Sequence, residues 1–541
     1  MKMSVIISEN YKWKHLSDHG FDIYYRNISL KKKTLDKFVK SFNKKRKIDC
    51  ALIKKNIKIL DGHFSIIIKR DSLIIGVVDR ICTSPIYYLS SLKEFKLSNN
   101  VSLIKNSSEM RDIDDNVIQN FISAGYTIGR STIYKNIYKL EAGSFIIFNA
   151  ETRKISVSKY YNYSPYKPYL KNKKNLKKKL TEITLGVLEG VRDAGYEQIL
   201  VPLSAGYDSR LVVSGLYKIN TKNVFCFSYG LKNNFEASYA RLVANKLNYK
   251  WKFIELTIKS QKKFFSSAIF KNYLSYADSF CSVPFRQDIY PIYHLKKNNL
   301  IQKKSIIVNG NTGDFISGGH IPEELFSSSS NVSKEERLKK IVHLIIKKHF
   351  SLWVGTSTNY SKTKEQIYLL LSEVLNQVKS YYDYGLYEYF EYMNRQSKFI
   401  ISNQKIYDFF DLDWNLPLWS NEYIDFWEKV PIQLKKRQRL YKEMLQENNW
   451  GKVWSNIPVN SYRITPNWIR PLRLLSKILH LPLGKKSWHS FEKKYFSYFT
   501  DNIVSYAEFS YLNTILKKKI ARNSVSWHTD KYIREKFNDE N

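Results

Sequence analysis

Between residues 198 and 256, short apolar runs rich in β-branched residues alternate with amphipathic stretches long enough to be helices, and this alternation limits the fold more than any other feature. It predicts strands at Gln198–Leu203, Asn223–Ser228 and Trp251–Leu256, and helices at Leu176–Gly195, Ser209–Ile219 and Glu236–Leu247. Strands spaced by helices of that length pair in parallel, with the helices covering both faces of a doubly wound sheet. Upstream the texture differs. The runs Phe64–Ile68, Leu73–Val78, Ile86–Leu89 and Ser144–Asn149 are short, turn-bounded and suited to half-buried strands. The expected organisation is therefore an α+β domain over residues 1–165, a Tyr-, Pro- and Lys-rich linker at 166–175, and an α/β domain over 176–541. Beyond about residue 320 the last domain reads as almost wholly helical, with long aromatic stretches at Tyr381–Phe399 and Ile424–Glu447.

The first predicted strand runs into Leu203-Ser-Ala-Gly-Tyr-Asp-Ser-Arg210 and then into a helix. Small residues at Ala205 and Gly206 let backbone approach an anion, and the N–H groups that open the following helix point at it with the positive end of the helix dipole behind them. Ser204 and Ser209 can add hydroxyl donors. Asp208 stands where a carboxylate could hold a magnesium ion bridging phosphates. A plain strand–turn–helix with a capping Ser or Asp is the structural alternative.

At 541 residues, with 43% hydrophobic and 15% aromatic content, the chain is globular and long enough for two domains or three. No run is apolar enough to span a membrane, and Met1–Lys14 leads into no signal-peptide core. Cys50, Cys82, Cys226 and Cys281 are scattered singly, which fits a reducing cytoplasm. A net charge of +39 raises nucleic acid or an anionic membrane as partners. The lysines, however, are spread along the chain and accompany an excess of Asn, Ile, Tyr and Phe, so they read first as solvated surface and nucleic acid is not expected.

The order Ser204-Ala-Gly-Tyr-Asp-Ser209 resembles the Ser-Gly-Gly-x-Asp-Ser loop of the PP-loop ATP pyrophosphatases, with Ala205 replacing one glycine. Phe225–Gly230 with Glu236–Ala244, and Val308-Asn-Gly-Asn-Thr-Gly-Asp-Phe-Ile-Ser-Gly-Gly319, are similar to later segments of the asparagine synthetase family. So are Asn394–Ile401, Leu416–Trp419 and Phe426–Pro431, particularly as they stand in members linked to bacterial surface polysaccharides. The resemblance implies a HUP-type domain that binds ATP and Mg2+. It assigns pyrophosphate or ATP contacts to Leu203, Ser204, Ala205, Gly206, Tyr207 and Ser209, and further contacts to Phe227, Ser228, Asn309, Gly310 and Gly313. Asp208 and Asp314 are the implied metal ligands and catalytic residues.

Leu60–Ser65, Asp79–Tyr88 and Ser131–Gly143 resemble segments of the family's class II glutamine amidotransferase domain, an Ntn-hydrolase-like αββα fold. A working glutaminase of this class uses an N-terminal cysteine as nucleophile. Here the chain reads Met1-Lys2-Met3-Ser4, and no counterpart of the family's glutamine-pocket segment precedes Leu60. The domain is therefore expected to be inactive, with no glutaminase nucleophile, and the nitrogen to come from ammonia, another protein or a substrate amine.

The implied reaction is adenylation of a carboxylate followed by amide formation. Asn311 replaces an acidic residue of the family loop, Ser420 stands where relatives carry Asp, and the late catalytic lysine has no clean match, leaving Arg463 as the candidate substitute. These departures point away from aspartate toward another acid, such as a uronic acid sugar, a peptide or a secondary-metabolite acid. The other readings are a true asparagine synthetase, an RNA-modifying PP-loop enzyme and a non-catalytic scaffold. A homodimer is compatible with all of them.

Overall fold

The computed structural model describes residues 2–18, 20–27, 32–42, 48–108, 112–168, 175–326, 332–354, 359–460 and 463–538. The N-terminal part contains two sheets. The larger is antiparallel and orders its strands Lys154–Lys159, Ser144–Asn149, Leu73–Val78, Phe64–Arg70, Phe21–Asn27 and Lys14–Asp18. The smaller orders Lys2–Ile6, Glu94–Ser98, Tyr87–Ser90 and Ile137–Lys139. Alternation along each strand assigns its two faces. Ile66, Ile68, Ile75 and Val77 pack with Leu35, Phe38 and Ile53 of covering helices. Ile67, Ile74 and Phe148 face Tyr88, Phe95 and Leu97 of the smaller sheet, where Phe95 stacks on Phe148 at 4.2 Å. The outer face of the smaller sheet, with Tyr87 and Leu89, packs with Ile104 and Phe121. The layers are helix, sheet, sheet, helix.

The five-stranded sheet that follows in the chain is wholly parallel. Its strands are β1 (Gln198–Pro202), β2 (Val224–Gly230), β3 (Lys250–Glu255), β4 (Ser305–Val308) and β5 (Asp413–Asn415), ordered β3-β2-β1-β4-β5. Near-continuous burial of Ile199, Leu200 and Val201 is what a strand covered on both faces requires. Helices α1 (Leu176–Arg192), α2 (Tyr207–Lys218) and α3 (Phe235–Lys246) flank it. The strand order reverses between β1 and β4, which leaves a crevice beyond their C-terminal ends.

The structure corrects three expectations. The late region is not wholly helical: β5 completes the sheet from more than 100 residues beyond β4, and Trp353–Val354 pairs with Ile520–Ala521. The stretch Ile424–Glu447 is three short helices, interrupted at Pro431 and by left-handed backbone at Arg437 and Gln438. The start of the expected linker is packed rather than loose. Tyr166 is buried, a Cβ at Gly385 would meet its amide nitrogen at 2.3 Å, and just before the linker Tyr163 is buried too, stacked on Tyr392 at 4.3 Å. The rest of that linker, 169–174, lies outside the described residues.

Candidate active site

The turn after β1 is tied back to the sheet. The Leu203 N–H donates to Phe227 at 2.8 Å, and Ser228 Oγ donates to the Leu203 carbonyl at 2.7 Å. Ser204 and Ser209 face each other with their hydroxyls 3.0 Å apart, and Ser204 Oγ accepts from the Gly206 N–H at 3.1 Å. Gly206 begins α2 without a side-chain cap, so the first-turn donors of a helix of 12 residues open beside these hydroxyls.

Arg210 locks the turn from below. It is fully buried, and its guanidinium donates to the carbonyls of Val453, Ile457, Pro458 and Ala205 at 2.7–3.3 Å. Burial lowers its pKa to about 10, which still leaves it charged at neutral pH.

Asp208 projects from the first turn of α2 toward the loop after β4. Its Oδ1 accepts from Tyr441 and its Oδ2 from the Asp314 N–H, both at 3.0 Å. Gly310 and Gly313 make this approach feasible: a Cβ at Gly313 would lie 2.5 Å from Asp208 Oδ1, and one at Gly310 would lie 2.7 Å from the Asp208 backbone. Burial and the neighbouring Asp314 carboxylate push the Asp208 carboxyl above the usual carboxylate range. Asp314 is held below that range, against partial desolvation, by the hydrogen bond and charge of His320. His320 bridges Asp314 Oδ2 at 3.0 Å and Glu391 Oε1 at 2.6 Å, and these two carboxylates raise it to about 9 against the effect of burial.

Above the strand ends lies a cavity of about 560 Å3. Leu203, Ser204, Asp208, Ser209, Ser228, Asn309 and Gly310 line it, together with Asn311. Its walls also carry Glu236, Asp288 and Asp501, and among the described residues no Lys or Arg lines it. Asp288 is buried at the floor, accepting from Tyr407 at 2.6 Å and from Tyr229. A polyphosphate could occupy such a carboxylate-rich wall only with divalent cations between them. Among the described residues no three His, Cys, Asp or Glu side chains gather as a complete metal cage. Asp208 and Asp314 fit a magnesium ion held by one or two carboxylates, the remaining ligands being phosphate oxygens and water.

Comparison with known proteins matches two parts of the chain to families. Residues 51–161 match the glutamine amidotransferase domain family and residues 196–448 match the asparagine synthase family. The chain is an asparagine synthetase-family protein. It is 23% identical over 265 residues to a protein of Methanocaldococcus jannaschii provisionally named glutamine-hydrolyzing asparagine synthetase 2, covering 48% of this chain. The chain spans about half the length of that relative, 49%. Among solved structures, an NH3-dependent NAD synthetase from Campylobacter jejuni is matched at 17% identity over 42% of this chain and 96% of that one, TM-score 0.21. A glutamine phosphoribosylpyrophosphate amidotransferase from B. subtilis is matched at 10% identity over 56% of this chain and 58% of that one, TM-score 0.18. Likeness that loose places no individual residue.

Within this family member, not every expected site residue reaches the cavity. Ala205 is buried with its carbonyl turned to Arg210 and to the Asn460 N–H. Phe227 is core, and Tyr207 stacks near Trp454 at 6.1 Å. Gly206 and Gly313 shape the loops behind the lining. Arg463 is exposed, with its guanidinium 4.4 Å over Phe235, one residue before cavity-lining Glu236, and it does not line the cavity itself. The sequence reading missed Asp288, Tyr441, His320 and the segment Thr500–Ile503. Only His320, directly after the Gly318-Gly319 pair, carried a local signal.

In the N-terminal part, burial pushes the Cys82 thiol up to about 11, and Cys50 is half-buried on a helix. A thiol raised in this way is not activated as a nucleophile, which leaves Cys82 a core residue.

Proposed function

We propose that this chain is an ATP-dependent amide-forming ligase that adenylates a substrate carboxylate, releases pyrophosphate and transfers ammonia or an amine to the acyl group. The observation that carries the reading is the meeting of the Ser204–Ser209 turn with Asp208 and Asp314 beside a strand-end cavity that no Lys or Arg lines among the described residues. ATP lies with its β- and γ-phosphates against the Ser204 and Ser209 hydroxyls and the first-turn amides of α2. Asp208 and Asp314 would hold magnesium, which would supply shielding of the phosphate charge. A carboxylate oxygen of the substrate attacks the α-phosphorus as the bond to the pyrophosphate oxygen breaks. The nitrogen lone pair then attacks the acyl carbon, AMP leaves with the C–O electron pair, and the amide forms after loss of a proton.

The finer parts of this reading are proposals too. The helix–sheet–sheet–helix part is an Ntn-type domain over 1–165 retained without glutaminase activity, and the parallel sheet belongs to a HUP-type PP-loop domain over 176–541. The acid differs from aspartate, as Asn311 and Ser420 suggest, and a sugar acid of a surface polysaccharide is the leading candidate. Arg463, on the flank of α3, supplies positive charge to the adenylate after rearrangement. The site of action is the cytoplasm.

The test is ATP–pyrophosphate exchange across a panel of aspartate, uronic acids and peptides, followed by product formation with ammonium or glutamine. The supporting acid should drive exchange in the parent and not in D208N or D314N, with both variants folded. Exchange at the parental rate in both variants would remove the metal-binding assignment. Turnover with glutamine but not with ammonium would overturn the inactive-glutaminase assignment.

A further inference from the structure

A helical hairpin, α4 (Ile469–Leu479) and α5 (Gly484–Tyr495) joined by Leu481–Leu483, stands apart from the main cores and holds itself together through Ile469, Trp488 and Phe496. Its polarity is inverted. At 3.6 residues per turn, Ile469, Arg473, Ser476 and His480 fall on the inward side of α4, while Leu472, Leu474, Leu475, Ile478 and Leu479 spread over an outward arc of about 160°. Those five side chains are 52–68% exposed. An ordinary surface helix buries its apolar stripe and presents polar groups to water. The tip continues the pattern, with Leu481 and Leu483 more than 60% exposed.

Charge decides what covers this face. From Ile469 to Phe491 there is no Asp or Glu, while Arg470, Lys477, Lys485 and Lys486 lie beside the apolar arc and its tip. Glu492 engages Arg473, leaving Lys477, Lys485 and Lys486 exposed. Packing against a second copy would set cation against cation. A bilayer bearing anionic headgroups satisfies both halves of the pattern, taking the leucines into the acyl boundary and the lysines at the phosphates. Trp468, 56% exposed at the entrance to α4, suits the interfacial depth. No helix among the described residues is long and apolar enough to cross a membrane, so this mode lies on the bilayer rather than through it.

We propose that the 469–495 hairpin is an interfacial anchor that seats this protein on an anionic lipid surface. Both ends of the hairpin run into the nucleotide cavity. Asn460 donates to the Ala205 carbonyl in the phosphate turn, Thr465 Oγ1 donates to Asn502 at 3.0 Å, and Thr500–Ile503 line the cavity wall. A seated hairpin therefore brings the cavity close to the bilayer.

The experiment is co-sedimentation of the full chain with vesicles of phosphatidylcholine alone and with roughly 30% phosphatidylglycerol added. The parent should partition to the anionic vesicles and release with salt. L475E/L479E should lose on the order of 100-fold in partition coefficient. K485Q/K486Q should lose about fivefold for each lysine. Circular dichroism of both variants should match the parent. A parent that stays in the supernatant with anionic vesicles overturns the proposal, as does L475E/L479E sedimenting like the parent, or equal binding to neutral vesicles. A concentration-dependent dimer abolished by L475E/L479E, without vesicle binding, would assign the face to a second copy and overturn it equally.

Discussion

Replacing Gly310 by alanine perturbs the site by a length that the structure fixes. The added Cβ would lie 2.7 Å from the Asp208 carbonyl carbon, 2.8 Å from its oxygen and 2.9 Å from the Ser209 nitrogen. Ordinary contact begins at 3.4 Å, so about 0.7 Å of separation must open between the β4 loop and the start of α2. All three neighbours are backbone, and no rotamer change can relieve them. Gly310 has no positive φ, so alanine brings no backbone strain and the effect is steric alone. Overpacking of this kind costs about 1–3 kcal/mol. Displacing a catalytic group by a large fraction of an ångström costs about 10- to 100-fold in rate. G310A should therefore lower the unfolding temperature by roughly 1–4 °C and cut ATP–pyrophosphate exchange by about that factor. The matched control is G190A on α1, where nothing lies within 4 Å of the added Cβ. It should leave exchange unchanged and gain about 1 kcal/mol of helix stability. Exchange within twofold of the parent in G310A, with an unshifted melt, would refute the close apposition of the two loops.

Other perturbations probe the surroundings. Lys435 and Glu388 are both buried and paired at 2.7 Å, so K435M should cost about 3–5 kcal/mol in urea unfolding. K435M/E388L should recover most of it, and an unaffected single variant would count against a buried pair. Acid should destabilise the fold in a defined window. Burial lowers His528 to about 3, while Arg286, His528 and Lys531 hold Glu508 down to about 2 despite its burial. The unfolded chain takes up a proton on His near 6.5 and on Glu near 4.5 when the folded chain does not. Stability should thus fall from about pH 6.5 toward pH 2, as melting against pH would record, and E508Q should flatten the part below about 4.5. A flat profile from 6.5 to 4 would contradict the burial of His528. Thiol titration should find one rapidly reacting cysteine, Cys50, in native protein and four after denaturation, since Cys82, Cys226 and Cys281 are buried. Fast reaction of Cys82 would remove its assignment as an inert core thiol.

The sequence made the sheet legible where signals were local. Strands β1 to β3 and the helices between them lie within a few residues of their expected limits, because burial on both faces writes an apolar run directly into the chain. β5 escaped because three residues, Asp413-Trp-Asn415, offer no periodicity and are fixed by pairing with β4 alone. The site was legible in part for the same reason. The Ser204–Ser209 turn and the 308–319 loop are contiguous, whereas Asp288 and Thr500–Ile503 join the cavity, and Tyr441 reaches Asp208, through tertiary packing. Arg463 lies over Phe235 rather than in the cavity lining, a placement that residue type and position in the chain do not give. The inverted hairpin was present in the sequence as a leucine-rich, acid-free stretch, but only exposure distinguishes an outward apolar face from a buried one.

The Arg210 clamp has a consequence for how the protein is made. Its guanidinium closes contacts across 243–248 residues, from the helix beside the phosphate turn to Val453, Ile457 and Pro458. Closing loops of that length is slow compared with local helix and strand formation. During synthesis the parallel sheet can begin to pair long before its most important turn acquires a floor. A nascent chain that ends short of residue 453 carries every serine and aspartate of the 204–209 turn, yet holds a buried arginine with three of its four carbonyl partners unmade. The floor of the phosphate turn is therefore expected to close late in synthesis, after the segment around 458 has emerged.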